Sequence, residues 1–158
     1  MAKEFSLLLH NIRSAHNVGA IFRTAEAAGA SRVYLSGYTP TPQDRFGRMR
    51  GDIAKSALGA ERMLPWEYAA TPQRLIGELK AAGWQVIGVE QDERAIDYRI
   101  WSPRDKSLLV FGNEVRGISP TMRRCCDILV EIPMRGKKES LNVAVAAGII
   151  LFGTKLSD

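Results

Sequence analysis

Four polar side chains lie at spacings that could carry chemistry. Arg23 sits one position after Phe22 and two after Ile21 on an apolar-periodic stretch. It reads as a solvated helix charge, as an ion pair with Glu26 at i+3, or as a guanidinium that grips phosphate through two donors. Glu114 either caps the following turn or holds an arginine. Ser140 is placed to accept the free N–H groups of a helix's first turn. Asn142 falls among small apolar neighbours, where an amide needs hydrogen-bond partners.

These residues belong to three segments of one pattern: a strand-like run, a glycine- and polar-rich loop, then a helix. The first is Asn11 to Thr24, the second Leu109 to Ser119, the third Glu131 to Ala146. In the third, the β-rich run Ile128 to Ile132 stops at Pro133, a basic loop follows, and Ser140-Leu141-Asn142 opens a long apolar segment. Ligands of open α/β sheets gather at such strand ends, and glycine there allows close approach to the backbone. Familiar nucleotide motifs are absent. Gly112 to Gly117 has phosphate-loop glycine spacing, but Ile118 and Ser119 follow in place of the lysine, and no G-x-G-x-x-G follows a strand. There is no G-x-S-x-G, no H-E-x-x-H and no clustered Cys/His set, so no metal is expected. The two histidines, His10 and His16, read as structural or surface groups.

The elements that must position these residues follow from periodicity and caps. Strands are expected at Phe5 to His10, Arg32 to Leu35, Trp84 to Glu90, Leu108 to Phe111 and Ile128 to Ile132. Helices are expected at Val18 to Ala28, one or two turns at Ile53 to Leu58, Thr71-Pro72 to Ala82, Ser119-Pro120 to Cys125, and Leu141 to Leu151. Asn11 to Asn17 reads as a polar turn, and Gln43 to Asp52 as a basic loop or irregular helix. Strands alternating with helices predict an α/β fold, a parallel sheet covered by helices on both faces. With no linker, repeat or low-complexity tract, residues 1–158 read as one domain with no appended RNA-binding module.

Composition bounds the partners. Hydrophobic residues make up 46% and charged residues 25%, as in a globular chain. There are 22 Lys+Arg against 17 Asp+Glu, a net charge of +5 that favours a polyanionic partner weakly. Adjacent Cys125 and Cys126 can make neither an ordinary disulfide nor a spaced metal site, and read as reduced, idle thiols. Neither a signal peptide nor a ~20-residue apolar run is apparent, so a soluble, cytoplasmic protein is expected.

Taken together, the three segments resemble motifs 1, 2 and 3 of the SpoU (TrmH-type) branch of the SPOUT RNA methyltransferases. Motif 1 resembles Asn17 to Ala25 with Gly29, motif 2 Phe111 to Gly117, and motif 3 Ile132-Pro133-Met134 with Ser140 to Val143. Lys55 to Glu61 also looks like a family segment. The resemblance implies a C-terminal trefoil knot, a homodimer, and S-adenosylmethionine-dependent methylation of a ribose 2′-hydroxyl in RNA. It puts tRNA first and rRNA second as the substrate. It implies cofactor contacts at Val89, Glu90, Gln91, Gly112, Asn113, Gly117, Ile132, Met134, Ser140 and Leu141, and a catalytic set of Arg23, Asn17, Glu114, Ser140 and Asn142. The family's catalytic arginine falls on Arg23, as base or as electrostatic stabiliser. Many family members carry extra terminal segments that grip RNA; here the grip is expected from the domain surface, at Arg13, Arg45, Arg48, Arg50, Lys137 and Lys138. Two other readings keep parts of the pattern: an idle RNA-binding module of the same fold, and a nucleotide-binding domain unrelated to methylation.

Overall fold

The computed structural model describes residues 2 to 156. Its elements are β1 (Glu4–His10), α1 (Ala15–Ala27), β2 (Arg32–Ser36), α2 (Gly51–Ala57), α3 (Ala60–Met63), β3 (Trp66–Tyr68), α4 (Pro72–Ala81), β4 (Gln85–Val89), β5 (Ile96–Asp97), β6 (Lys106–Phe111), α5 (Pro120–Cys125), β7 (Ile128–Glu131) and α6 (Val143–Gly153). The strands form one sheet of order β3-β2-β1-β6-β4-β7-β5. Every pairing in it is parallel.

Strand alternation explains why both faces are covered. On β1, Leu7 and Leu9 point into a core that includes Ile21 and Phe22 of α1, Ile53 of α2 and Ile150 of α6. Leu8 points the other way, into a second core with Ile76 of α4 and Met122 of α5. All three leucines are fully buried. This is the near-continuous apolar run of a strand buried on both sides.

The N-terminal strands pair in chain order, but the C-terminal ones double back. β4 lies between β6 and β7, so the chain leaves β4 for the far edge at β5, returns past it to β6, and crosses it again to β7. This is the region in which the resemblance implies a knot. The crossings bring the carboxyl ends of β4, β6 and β7 side by side.

Several boundaries differ from the sequence expectation. The stretch up to Asn17 is not all turn: α1 begins at Ala15, because the Ser14 hydroxyl accepts the Asn17 N–H at 3.1 Å. Ser140 does not cap the last helix. α6 starts at Val143, and Asn142 is the cap, its Oδ1 accepting the N–H groups of Ala144 (2.8 Å) and Val145 (3.3 Å). Ser119 does cap α5, accepting the Met122 N–H, whereas Thr71 makes no side-chain cap at α4. The short elements α3, β3 and β5 were not expected; at two to four residues, each spans too few hydrophobic periods to leave a pattern. Cys125 and Cys126 are free thiols, and burial pushes Cys126 up to about 12, which makes it unreactive.

Candidate functional site

A cleft of about 330 Å³ opens where β4, β6 and β7 end. The end of β4 and the loop after it contribute Val89, Glu90 and Gln91; the loop after β6 contributes Gly112, Asn113 and Gly117; the loop after β7 contributes Ile132, Met134, Ser140 and Leu141. All ten residues that the resemblance marks as cofactor contacts therefore line one cavity. Phe111 and Val143 add apolar wall. Four carboxylates border it, those of Glu90, Glu114, Glu131 and Glu139, and no lysine or arginine does.

The β6 loop is closed by its own backbone. Gly117 N–H donates to Asn113 O at 2.8 Å and Asn113 N–H to Gly117 O at 3.2 Å. The Asn113 Oδ1 accepts from Val115 and Arg116 N–H, both at 2.9 Å, which leaves its amide to donate to Asn11 O (3.0 Å) and Tyr38 Oη (2.9 Å). Inside this fold-back, a Cβ at position 112 would lie 2.5 Å from Gly117 C and 2.6 Å from Ile118 N. Glycine is thus required at 112 by the protein's own backbone, not by a ligand alone. The β4 loop is braced against it: Glu90 accepts the Ile118 N–H at 2.8 Å, and Arg123 joins Ile118 O (2.8 Å) to Asp92 (3.2 Å). Asp92 is held down to about 2, chiefly by the Arg94 backbone N–H and side chain. By contrast, residues 133–141 make no hydrogen bond to other described residues, so that loop offers its backbone groups to a ligand.

A polar chain ties the β6 and β7 loops together through α1. Asn142 is committed as a cap acceptor, so its Nδ2 must donate, and it does so to Asn17 Oδ1 at 3.2 Å. Asn17, its oxygen taken, points its own Nδ2 at Glu114 Oε2, 3.5 Å away. Glu114 also accepts the N–H groups of Arg13 (3.0 Å) and Ser14 (2.9 Å). Burial raises its pKa, but these donors outweigh that and leave it below the usual carboxylate range. Glu114 therefore caps the approach to α1 across space. It neither caps its own following turn nor holds an arginine.

Arg23 stands elsewhere. Six residues beyond Asn17, it lies about 9 Å further along α1 and turned roughly 120° away. It is exposed, lines a second groove with His16, Lys55, Ser56, Leu58 and Phe152, and is not part of the cleft wall. The anticipated Glu26 ion pair is not formed; the guanidinium has no acidic partner among the described residues. The groove exists because Gly19 lets α2 press onto α1: a Cβ there would meet Ser56 Oγ at 2.1 Å, and that hydroxyl donates to His16 O. Lys55 and Ser56 were legible as part of a family-like segment, but their proximity to Arg23 was not. His10 is structural, its Nδ1 bonded to Ser36 Oγ at 2.7 Å.

The six candidate RNA-grip residues are scattered. Arg13, Arg45, Arg48, Lys137 and Lys138 are exposed, and Arg50 is half-buried. Arg48 is paired with Asp44 at 3.0 Å and Arg50 with Asp52 at 2.7 Å, which leaves Arg45 as the unpaired cation of that turn. Among the described residues no helix is long and apolar enough to cross a membrane, and no metal-binding group of three or more His, Cys, Asp or Glu occurs.

A parallel α/β sheet with three loops meeting at a carboxyl-edge cleft defines the class. Residues 4–152 match the SpoU rRNA Methylase family, and the chain belongs to it. It is 36% identical over 149 residues to the 23S rRNA (guanosine-2'-O-)-methyltransferase RlmB of Neisseria meningitidis, covering 94% of this chain and 57% of that protein. It is 32% identical to the putative TrmH family tRNA/rRNA methyltransferase YacO of Bacillus subtilis, with the same two coverages. The AdoMet-bound rRNA methyltransferase of Sinorhizobium meliloti superposes with a TM-score of 0.86 at 32% identity, over 97% of this chain and 56% of that one. The chain thus spans a little over half the length of these relatives.

Proposed function

We propose that this protein transfers a methyl group from S-adenosylmethionine to a ribose 2′-hydroxyl of RNA, with ribosomal RNA the favoured substrate. The observation that carries the reading is that motifs 2 and 3 meet the loop after β4 at one carboxylate-bordered cleft, with motif 1 tied to both through Asn17, bonded to Asn142 and Glu114. The tRNA preference expected from sequence gives way to rRNA: the curated relatives named for a single RNA are 23S rRNA enzymes at 36% and 38% identity, whereas the TrmH/SpoU tRNA modifying enzyme of A. aeolicus is similar only at 28%. Residues 1–158 act as one domain in this reading, in the cytoplasm.

The cleft suits the cofactor by chemistry. Apolar Val89, Ile132, Met134 and Leu141 fit a flat base, the free backbone of 133–141 offers donors and acceptors, and carboxylates face a cationic ligand. When bound, S-adenosylmethionine supplies an electrophilic methyl group on a sulfonium. The protein's share is to hold it, to orient the ribose through Ser140 and the Glu114–Asn17–Asn142 chain, and to stabilise charge on the attacking oxygen. Arg23, unpaired and exposed, serves as that stabiliser and as a phosphate clamp. An arginine stays protonated, which makes it a poor base.

Arg23 and the cleft lie apart in one chain, so the reading calls for a homodimer in which one protomer's Arg23 serves the other's cleft. Apolar Leu58 and Phe152, 65% and 63% exposed beside Arg23, suit such a contact. The test is incubation with isotopically labelled S-adenosylmethionine and separate unmodified rRNA and tRNA, followed by digestion to nucleosides. A labelled 2′-O-methyl nucleoside from the rRNA is expected. Label on a base, or none despite cofactor binding, overturns the reading; label in tRNA alone overturns its substrate.

A further inference from the structure

We propose that Phe46 is a stacking site for an unpaired RNA base, with Arg45 placed beside it to meet a flanking phosphate. The inference rests on the RNA-directed reading above and adds a binding site to it. Phe46 stands at the tip of a tight turn between β2 and α2. The turn is closed by Asp44 N–H to Arg48 O (2.8 Å), Gly47 N–H to Asp44 O (2.9 Å), Arg50 N–H to Pro42 O (2.9 Å) and a bridge between Gln43 and Met49. The Asp44 carboxylate gathers three more donors, Phe46 N–H (2.8 Å), Arg48 N–H (3.0 Å) and Arg48 Nε (3.0 Å). Gly47 turns the corner at φ 77°, a left-handed conformation other residues rarely adopt.

So rigid a mount needs a reason, because its central side chain contributes to neither core. Phe46 is 66% exposed. The guanidinium carbons of Arg45 and Arg48 lie 4.9 Å and 5.1 Å from its ring centroid. A ring and two flat cations make one π surface with positive charge along it. An apolar partner would cover the ring but strand the Arg45 guanidinium, since only Arg48 has a carboxylate of its own, Asp44 at 3.0 Å. An unpaired nucleotide meets both demands, since its base stacks on ring or guanidinium plane and its phosphates take the charge. The turn runs directly into α2, whose Lys55 and Ser56 wall the groove holding Arg23. A base held at Phe46 would thus anchor the strand one element away from that groove.

The test measures affinity by fluorescence anisotropy, for a labelled single-stranded oligonucleotide and for the same sequence as a blunt duplex, at one salt concentration. Phe46→Ala should weaken the single strand roughly tenfold or more while leaving the duplex and S-adenosylmethionine unaffected. Phe46→Trp should retain affinity, and Phe46→Leu should not. Equal single-strand affinity for Phe46→Ala, full retention by Phe46→Leu, or equal losses for strand and duplex would each overturn the site. If the unsubstituted protein methylates RNA while Phe46→Ala binds normally, this inference alone fails. If it binds S-adenosylmethionine but no RNA, the function reading fails and takes the site with it.

Discussion

The cleft and the Arg23 groove are opposites in charge and in construction. The cleft is bordered by four glutamates and no basic side chain, and two of its loops are locked by several hydrogen bonds. The groove carries Arg23, Lys55 and His16 with no carboxylate on its wall. A cationic small molecule and a polyanionic strand would sort themselves between two such surfaces before any specific contact forms. Separation also divides the labour of substitution, since a change in one surface should leave the other's ligand alone.

The largest effect tests that division. Arg23→Ala should lower methyl transfer by roughly a hundredfold or more while S-adenosylmethionine affinity stays within error; calorimetric titration beside single-turnover assays reads both. A parallel loss of cofactor affinity would erase the distinction between the two surfaces. Next in size, Gly112→Val drives a side chain into the Gly117 and Ile118 backbone. It should cost about 1–3 kcal/mol of stability in urea unfolding as well as cofactor affinity. Loss of affinity at unchanged stability would mean that glycine serves the ligand and not the fold.

The polar chain makes a smaller, coupled effect. Asn17→Ala and Asn142→Ala should be non-additive by roughly 0.5–3 kcal/mol in a double-mutant cycle, because each leaves the same bond unmade. Additive costs would show the two loops to be independent. Glu114 makes the sign with pH definite: its folded pKa lies below the ordinary 4.5, so its contribution is fully present above that value and fades as pH falls through the lower folded one. Glu114→Gln should therefore flatten the stability–pH curve below about pH 4.5 and leave its slope above pH 6 unchanged. The smallest effect concerns the basic turn. Since Asp44 and Asp52 already partner Arg48 and Arg50, changing Arg45, Arg48 and Arg50 to Ala should reduce the salt slope of RNA binding by about one unit rather than three.

What the sequence revealed divides along similar lines. Long buried strands such as β1 and β6 were readable because apolar runs bounded by turn residues leave few alternatives, and Ser119-Pro120 marked its helix directly. Caps were harder where two candidates competed. Ser140 and Asn142 both have the chemistry, and the backbone chose the one whose amide could also reach Asn17. The Ser14 cap obeys a three-residue rule that was available but hidden inside a polar stretch. The cleft residues could be named because the family resemblance carries them over onto loops that are local in sequence; the pattern of residues by itself marked only the loops. The distance of Arg23 from them is a matter of helix rotation and sheet order, which no motif records.

The hydrogen bond from Asn142 to Asn17 spans 125 residues. A ribosome delivers Asn17 well before Asn142. Until the β7 loop emerges, the Asn17 carbonyl lacks its donor, the cleft lacks its third wall, and β1 waits for β6 along one whole edge. A nascent chain carrying Arg23 would already expose its cationic face while unable to hold a cofactor. Translation order alone thereby leaves the cleft without its third wall until α6 has begun to form.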